Sequence, residues 1–478
     1  MKLNELNVSV PYLSLEAEFH DKTDITPLKR PFLISHSPDA AELLGVDVDD
    51  QDEFLVKIMN GEAHLEGSEP FSMCYAGHQF GYFVPRLGDG RAINLGKSDS
   101  GWNLQLKGSG PTLYSRQGDG RAVLRSSIRE YLMSEAMCGL HIATSRALAL
   151  IGSEHDVARE RWEKGAVVLR MSTSWVRFGT FEYFYAKEQF DKLEALADYV
   201  IDESYAHLKG KPDAYFLMFE ELVDRTALLL AKWQGVGFNH GVMNTDNMSI
   251  AGLTIDYGPF AFFDDYDFDY ICNHTDTNGR YAYGQQPNVA QWNLSMLMRA
   301  LSPLINIERM QEALEKYSEL YMNYYIGFIR KKLGLLTEDE DDLSTLRWLF
   351  GIMQQEGIDY NSFFRKLSRY ECHKTALLEF CELQEPLSEW LDHYDKRLAN
   401  EGSVSKDRHK QMLATNPKYV LKNYMLQYAI DKANRGDYSA VDEMLTLARA
   451  PFDEHPEMES FAGVSPKSVK NLKLSCSS

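Results

Sequence analysis

Short alternations of apolar and polar residues, separated by glycine turns, dominate the chain up to about residue 180. Residues 102–107 and 166–171 alternate in the way that half-buried strands do. Between them, apolar residues recur every four positions across residues 121–140, which predicts one helix with a core-facing stripe. The stripe consists of Leu124, Ile128, Leu132 and Ala136. We therefore expect a strand-rich lobe that contains a single prominent helix.

Beyond about residue 190 the patterns have the helical period, and they predict helices at residues 193–207, 215–233, 291–304 and 307–333. A short stretch interrupts them, in which residues 248–250 and 253–255 alternate around Ala251-Gly252, as in a tight hairpin. A chain of 478 residues exceeds one typical core. The expected fold class is α+β, with a strand-rich N-terminal lobe (1–185) and a mostly helical C-terminal lobe with an extra helical extension (186–478).

The net charge limits the kinds of molecule that the protein can bind over a large surface. Lys and Arg number 50 and Asp and Glu number 70, which gives −20. This balance argues against extended binding to nucleic acid or to anionic membranes, so a phosphate site must be a local basic pocket. No run of about 18 apolar residues and no signal-peptide pattern occur. We expect a cytoplasmic monomer that binds neither nucleic acid nor membrane.

Six cysteines are scattered along the chain without a Cys-x-x-Cys pair, so neither a zinc site nor a dense disulfide framework is indicated. Most are expected to be buried thiols. Cys476 differs, because it lies third from the end in Leu474-Ser-Cys-Ser-Ser478, where exposure is expected. It is a candidate for redox sensitivity.

Candidate catalytic and metal-binding residues are concentrated in His240-Gly-Val-Met-Asn-Thr-Asp-Asn247 and in Asp256-Tyr-Gly258. Kinase-like phosphotransferases use a His-x-Asp-x-x-x-x-Asn loop and an Asp-x-Gly to supply a base and two metal ligands. Here the position of the base is Val242, which accepts no proton. An acid stands instead at Asp246, beside Asn247.

Asn247 and Asp256 offer the oxygen ligands that Mg²⁺ and Mn²⁺ prefer. The predicted hairpin would bring both side chains to one ion. Asp-Asn and Asp-x-Gly also occur in ordinary turns, where the side chains bond local backbone. The choice between the two metals stays open.

Lys107 at a strand end and Glu130 on the following helix match the pair by which kinase-like folds direct an ammonium group at nucleotide phosphates. In that strand, Leu104 and Leu106 would face one side, whereas Gln105 and Lys107 would face a cleft. A surface lysine and a solvated glutamate are the alternative.

Two copies of Gly-Asp-Gly-Arg-Ala, starting at Gly88 and at Gly118, suit a close approach to phosphate, the second just before the helix. Capped tight turns are the alternative. Arg170 and Arg177 add cationic groups suited to phosphate oxygens. Their separation of seven residues places them on opposite faces of a regular strand, so they converge only if the chain bends.

Together these segments resemble the selenoprotein O family, also called the YdiU family. The motifs are Tyr75-Ala-Gly-His-Gln-Phe-Gly81, Leu87-Gly-Asp-Gly-Arg91, Leu104-Gln-Leu-Lys-Gly-Ser-Gly-Pro111, Gly118-Asp-Gly-Arg-Ala-Val-Leu-Arg125 and residues 240–258. The resemblance implies a two-lobed, protein-kinase-like fold that binds ATP in an inverted orientation and transfers AMP to Ser, Thr or Tyr hydroxyls of proteins.

The resemblance also implies residue roles. Asp246 is the proton acceptor, Asn247 and Asp256 hold the metal, and Glu130 pairs with Lys107. The nucleotide is surrounded by Gly88, Gly90, Arg91, Lys107, Asp119, Gly120, Arg170, Arg177 and Asp256.

Some family members carry selenocysteine at the position matched by Cys476. A Cys272–Cys476 disulfide that tethers the tail across the cleft is one hypothesis, and two separate thiols are the other. Three functional alternatives also stay open: UMP transfer with Mn²⁺, ordinary γ-phosphoryl transfer, and a silent, redox-responsive nucleotide-binding scaffold.

Overall fold

The computed structural model describes residues 1–49, 51–371, 373–401 and 405–470. The strands are β1 (Val8–Ser9), β2 (His20–Lys22), β3 (Phe32–His36), β4 (Phe71–Met73), β5 (Gly77–Gln79), β6 (Tyr82–Val84), β7 (Ala92–Ser98), β8 (Asn103–Lys107), β9 (Ala122–Val123), β10 (Arg146–Ala158), β11 (Trp162–Ser172), β12 (Phe238–Asn239) and β13 (Ala261–Phe262).

The helices are α1 (Pro38–Leu44), α2 (Glu53–Met59), α3 (Leu124–Gly139), α4 (Phe178–Ala186), α5 (Phe190–Ser204), α6 (Ala214–Val236), α7 (Gln286–Leu301), α8 (Ile307–Glu315), α9 (Tyr317–Lys332), α10 (Asp342–Glu356), α11 (Tyr360–Leu367), α12 (Thr375–Leu378), α13 (Gln384–Asn400), α14 (Ser405–Thr415), α15 (Asn423–Ala433) and α16 (Ser439–Arg449). Among the described residues, no helix is both long and apolar enough to cross a membrane.

Nine of the described strands form one antiparallel sheet, in the order β2-β4-β7-β8-β11-β10-β3, with β1 also on β7 and β9 also on β11. Strands β8 and β11 are neighbours, and Gln105 lies opposite Arg170 in their register. Leu104 and Leu106 belong to the core that covers one face of the sheet together with α1 and α2. The opposite face, which carries Gln105, is the face of the cavity described below, as the alternation predicts.

Helix α3 packs on β10 and β11. It begins at Leu124, later than the predicted 121–140, because Ala122 and Val123 pair with β11 as strand β9. Helices α15 and α16 cover α3 from outside. Arg129 of α3 donates from Nη1 to Asn423 Oδ1 at 3.1 Å. The C-terminal helices therefore contribute directly to the packing of α3.

The predicted helices 193–207, 215–233 and 291–304 correspond to α5, α6 and α7. The predicted single helix 307–333 is wrong in one respect, because it is divided at Lys316 into α8 and α9. The main hydrophobic cluster contains residues from both sides of residue 185, and a second cluster is built largely from α9 to α14 around Trp390.

The regular hairpin predicted around Ala251-Gly252 does not form. Its turn is present, since the Gly252 N–H donates to the Ser249 carbonyl at 3.1 Å, and Met248 bridges to Thr254. The two flanks, however, pair with distant segments. Ser249 bridges to Arg177 and Thr254 bridges to Thr144. These outside partners satisfy backbone groups that the hairpin would have paired internally.

Candidate active site

A cavity of about 640 Å³ opens where the sheet meets the loop of residues 240–247, here called the acceptor loop. Eleven of the residues predicted for the site line this cavity. They are Gly88, Gly90, Arg91, Lys107, Asp119, Gly120, Arg170, Arg177, Asp246, Asn247 and Asp256. Glu130 lies directly behind the wall, in contact with Lys107. Residues that are far apart in sequence therefore converge on one pocket.

A cluster of four charged side chains forms the back of the cavity. Lys107 Nζ lies 2.7 Å from Glu130 Oε2 and 2.5 Å from Asp256 Oδ1. Arg170 Nη1 lies 2.7 Å from Glu130 Oε1. Burial by itself would raise the pKa of Asp256, but Lys107 and Arg170 hold it well below its usual range. Asp256 is therefore a carboxylate at neutral pH.

Arg177 reaches the same cavity because the chain leaves β11 and turns before α4, whose first residue is Phe178. Its Nη1 donates to the Asp246 carbonyl at 2.8 Å. Its guanidinium stacks on the Tyr75 ring at 4.8 Å. Burial alone would lower the pKa of Arg177, but Tyr75 and nearby carboxylates raise it instead. This bend lets Arg170 and Arg177 line one pocket despite their odd separation.

Asp246 lies in a short 3₁₀ turn, Thr245–Asn247, and exposes 7% of its surface. Gln79 Nε2 donates to its Oδ2 at 3.3 Å, whereas Oδ1 has no hydrogen-bond partner among the described residues. Burial raises the pKa of Asp246 to about 6, against the opposing effect of Arg177. The side chain is thus a carboxyl group at the wall of the cavity, and one of its oxygens is buried without a partner among the described residues.

His240 does not face the cavity as an acid or base. It is buried, it stacks on Trp233 at 5.2 Å, and burial lowers its pKa. Its Nδ1 accepts from the Val242 N–H at 3.4 Å, so Nε2 is left to donate to the Asp256 carbonyl at 2.9 Å. His240 therefore ties the acceptor loop to the segment that carries Asp256.

The chemistry of Asn247 and Asp256 fits a hard divalent cation. Asn247 donates from Nδ2 to the Val242 carbonyl at 3.0 Å, and no described residue donates to its Oδ1. Asp256 exposes 28% of its side chain. The described residues contain no group of three or more His, Cys, Asp or Glu that could hold a metal. A cation here would complete its shell with phosphate oxygens and water, as Mg²⁺ commonly does.

The two Gly-Asp-Gly segments combine both interpretations that the sequence left open. Asp89 Oδ2 accepts the Met73 N–H at 3.0 Å and Asp119 Oδ1 accepts the Arg121 N–H at 2.9 Å, as capped turns do. Both segments nevertheless line the cavity. The expected helix N-terminus is absent from the second, because the helix starts four residues after Gly120.

Sequence reasoning missed several residues of the site. Gln79 and Tyr75 line the cavity, and both belong to the Tyr75–Gly81 motif, which carried the family resemblance without an assigned role. Arg159 also lines it and pairs with Asp119 at 2.8 Å. No local pattern marks Arg159, since it lies in the turn between two long strands.

Of the redox candidates, Cys272 is buried, with its Sγ 2.6 Å from the Pro259 carbonyl. Cys476 lies outside the described residues. No disulfide occurs within the described part of the chain.

Comparison with known proteins decides the family. The model of the family described as "Protein adenylyltransferase SelO" matches residues 2–449. The chain belongs to this family. It is 46% identical to "Protein nucleotidyltransferase YdiU" of Myxococcus xanthus and 45% identical to the protein of that name from Thioalkalivibrio sulfidiphilus. A relative of the same name from Pseudomonas fluorescens is 43% identical. These matches span 100% of this chain and 99 to 100% of each relative.

The family and its relatives establish a protein nucleotidyltransferase of the adenylyltransferase type. This activity takes ATP as its substrate and, in general, a divalent metal. The resemblance predicted from the motifs is thereby confirmed, as is the enzymatic function. The comparisons give no support to the silent scaffold or to the disulfide tether.

Proposed function

We propose that the enzyme transfers AMP from ATP to Ser, Thr or Tyr hydroxyls of acceptor proteins, with Asp246 as proton acceptor. The observation that carries this proposal is the pairing of a cationic cluster with the Asp246 carboxyl group in one cavity. Lys107, Arg170 and Arg177 supply the positive charge, and the Asp246 carboxylate supplies the base. Val242 leaves the usual kinase position without a base.

In the proposed reaction, the hydroxyl oxygen of the acceptor protein bonds to the α-phosphorus of ATP. Asp246 takes the proton of that hydroxyl at the same time. The bond from that phosphorus to the bridging oxygen breaks, and pyrophosphate leaves with the electron pair. Lys107 and Arg177 stabilise the charge that develops on the phosphates, since fixed cations act strongly in a pocket of low polarity. The backbone of Gly88, Gly90 and Gly120, with Arg91 and Asp119, would surround the rest of the nucleotide.

Asn247 and Asp256 would hold Mg²⁺ or Mn²⁺, which when bound neutralises phosphate charge and orients the triphosphate. Glu130 holds Lys107 in place from behind. The protein-kinase-like, two-lobed organisation, divided near residue 185, is part of the same proposal. The large sheet ends at residue 172 and most helices follow residue 178, which supports the two-lobed organisation. The main hydrophobic cluster nevertheless contains residues from both lobes. Monomeric and cytoplasmic states remain predictions.

The test follows label from ATP carrying ³²P at the α- or at the γ-phosphate, in parallel, with each metal. Label on protein only from the α position is the expected result. Label only from γ would refute adenylyl transfer and restore the kinase alternative. α-Labelled UTP with Mn²⁺ decides whether UMP is also transferred.

Asp256→Ala should abolish transfer in the same assay. Asp24→Ala, which changes an exposed carboxylate outside the cavity, is the matched control and should keep full activity. Loss of transfer in both variants would point to a general effect of the lost charge rather than to the site.

A further inference from the structure

A second cavity, of about 490 Å³, adjoins the active site across the turn between β5 and β6. Gln79 lines the first cavity and donates to Asp246. Phe80, the next residue, lines the second cavity, and its N–H donates to Asn244 of the acceptor loop at 3.2 Å. Consecutive Cα atoms lie about 3.8 Å apart. The two cavities are therefore separated by little more than one strand.

Arg280 is the cation of this second cavity. Its guanidinium lies over the Trp292 ring at 4.5 Å. On Gly81, a Cβ would come within 3.3 Å of the Arg280 Cζ, so the absence of a side chain there lets the turn lie against the guanidinium. An aromatic ring and a close backbone thus hold the cation in one position.

Arg280 forms no ion pair with a carboxylate among the described residues, and its Nε has no hydrogen-bond partner there. Asp276, which also lines the cavity, is already engaged, because its two oxygens accept the N–H groups of Arg280 and Tyr281 at 2.9 and 2.7 Å. An unpaired, immobilised cation is unusual in a chain whose net charge is −20. Arginine presents a planar fork that matches a carboxylate in a bidentate pair.

The remaining walls suit an extended polypeptide. They offer aromatic surface and side-chain amides from Phe80, Tyr82, Asn278, Gln285 and Asn288. Tyr82 is 79% exposed at the rim. Amides bond main-chain groups, and aromatic rings provide contact area at a low entropic cost.

Building on the proposed adenylyl transfer, we propose that this cavity receives a linear segment of the acceptor protein beside the modified hydroxyl. Arg280 pairs with an Asp or Glu of that segment. The hydroxyl must reach Asp246, and the residues that flank it then pass over the β5–β6 turn into the second cavity. The enzyme accordingly selects hydroxyls that have an acidic neighbour.

The test uses synthetic peptides with one central serine and a single Asp placed at each position within about five residues, a range set by the rise of about 3.3 Å per extended residue. Matched peptides carry Lys or Ala instead. AMP transfer is measured as kcat/KM from α-labelled ATP. The wild type should prefer Asp at one or two positions by about tenfold or more, as a charge-assisted hydrogen bond provides. Arg280→Ala should lose the preference, and Arg280→Glu should favour Lys.

Arg309→Glu is the matched control. Arg309 also lies over an aromatic ring, Phe216 at 4.1 Å, but it already pairs with Asp213 at 3.2 Å in a different cavity. This variant should keep the wild-type preference. Release of pyrophosphate without any peptide, in which water or a hydroxyl of the enzyme itself takes the AMP, should be equal in the wild type and in the Arg280 variants. This comparison separates peptide recognition from nucleotide chemistry and from misfolding.

Three results would overturn the proposal. The wild type could show no positional preference, it could release pyrophosphate in the presence of the peptides and label none of them, or Arg280→Glu could retain the preference for Asp. If the wild type neither releases pyrophosphate nor labels any protein from α-labelled ATP, the proposed adenylyl transfer itself fails.

Discussion

Lys332, the last residue of α9, is a buried amine in an aromatic environment. It is fully buried, and its Nζ has no hydrogen-bond partner among the described residues. The Nζ lies 4.9 Å from the Tyr360 ring centroid and 4.6 Å from that of Phe364. Replacing Lys332 with Met removes the charge and keeps an unbranched chain of similar length. We predict that Lys332→Met stabilises the protein at neutral pH.

The magnitude follows from the lowered proton affinity. Burial lowers the pKa of Lys332 from 10.5 to about 7. One pKa unit corresponds to about 1.4 kcal/mol, so the protonated amine destabilises the folded state by about 5 kcal/mol. Attraction between the ammonium and the rings offsets up to about 2 kcal/mol of this. Lys332→Met should therefore raise the free energy of unfolding by about 3 kcal/mol where the wild-type amine is charged.

The gain in the free energy of unfolding of Lys332→Met over the wild type has a characteristic pH dependence. Because the folded-state pKa of Lys332 lies below the unfolded-state value, the unfolded chain binds the extra proton between about pH 7 and pH 10.5. The free energy of unfolding of the wild type therefore rises with pH across that window, while below pH 7 the full penalty is present. The advantage of the Met variant should be largest at and below pH 7 and should nearly vanish above pH 10.5.

Urea unfolding at pH 6.5 and pH 9.5, followed by tryptophan fluorescence, measures this difference, since Trp390 belongs to the same hydrophobic cluster as Tyr360. Lys331→Met is the matched control, because Lys331 is the exposed neighbour on α9 and should show little effect. A Met variant that is less stable at pH 6.5, or whose gain does not change with pH, would refute the argument that an uncompensated charge is buried there.

Three further predictions concern the site. Gln79→Leu should lower kcat for AMP transfer about tenfold and leave the KM for ATP unchanged in steady-state kinetics, because Gln79 orients Asp246 rather than the nucleotide. Glu130→Gln should reduce kcat/KM about 100-fold, since Lys107 loses the carboxylate that holds it in the cavity. Gly120→Ala should lower the melting temperature through about 1 to 3 kcal/mol of strain, because Gly120 has a φ of +66° and its Cβ would lie 2.0 Å from a facing carbonyl oxygen.

Each of these three has a contrary outcome, and two of them have a control variant. A raised KM for ATP in Gln79→Leu would place that side chain on the nucleotide instead. Glu130→Asp keeps the charge and should recover part of the activity, whereas full activity in Glu130→Gln would show that the ion pair is dispensable. Gly327→Ala, in a helix with open space around the Cβ, should not destabilise the protein. An unchanged melting temperature in Gly120→Ala would show that the facing loop relaxes.

Local periodicity predicted much of the fold, because burial of one face is a local property of a strand or helix. Residues 102–107 and 166–171 are strands, and residues 215–233 lie within α6. The break at Lys316 has no proline or glycine to mark it, so it could not be predicted from the pattern. Residues 248–255 show a related limit. Alternation indicates an extended segment, but it does not specify which segment pairs with it.

The residues of the candidate site could be predicted where the chemistry requires several side chains at a fixed spacing along the sequence. Asn247 and Asp256 follow such a pattern, and both line the cavity. Gln79 and Arg280 are different, because each contributes one side chain that gains its importance from the three-dimensional position of the acceptor loop. Arg177 is an intermediate case. The sequence showed that it needs a bend, but the chain turn that provides the bend is visible only in the structure.

The packing of α15 and α16 on α3 has a consequence for the folding of the enzyme during translation. Glu130, which positions Lys107, sits on α3, and its neighbour Arg129 is bonded to Asn423. During translation, the ribosome completes the sheet and the acceptor loop well before it reaches residues 423–449. The nascent chain therefore holds all the proposed reactive side chains while α3 still lacks its outer cover.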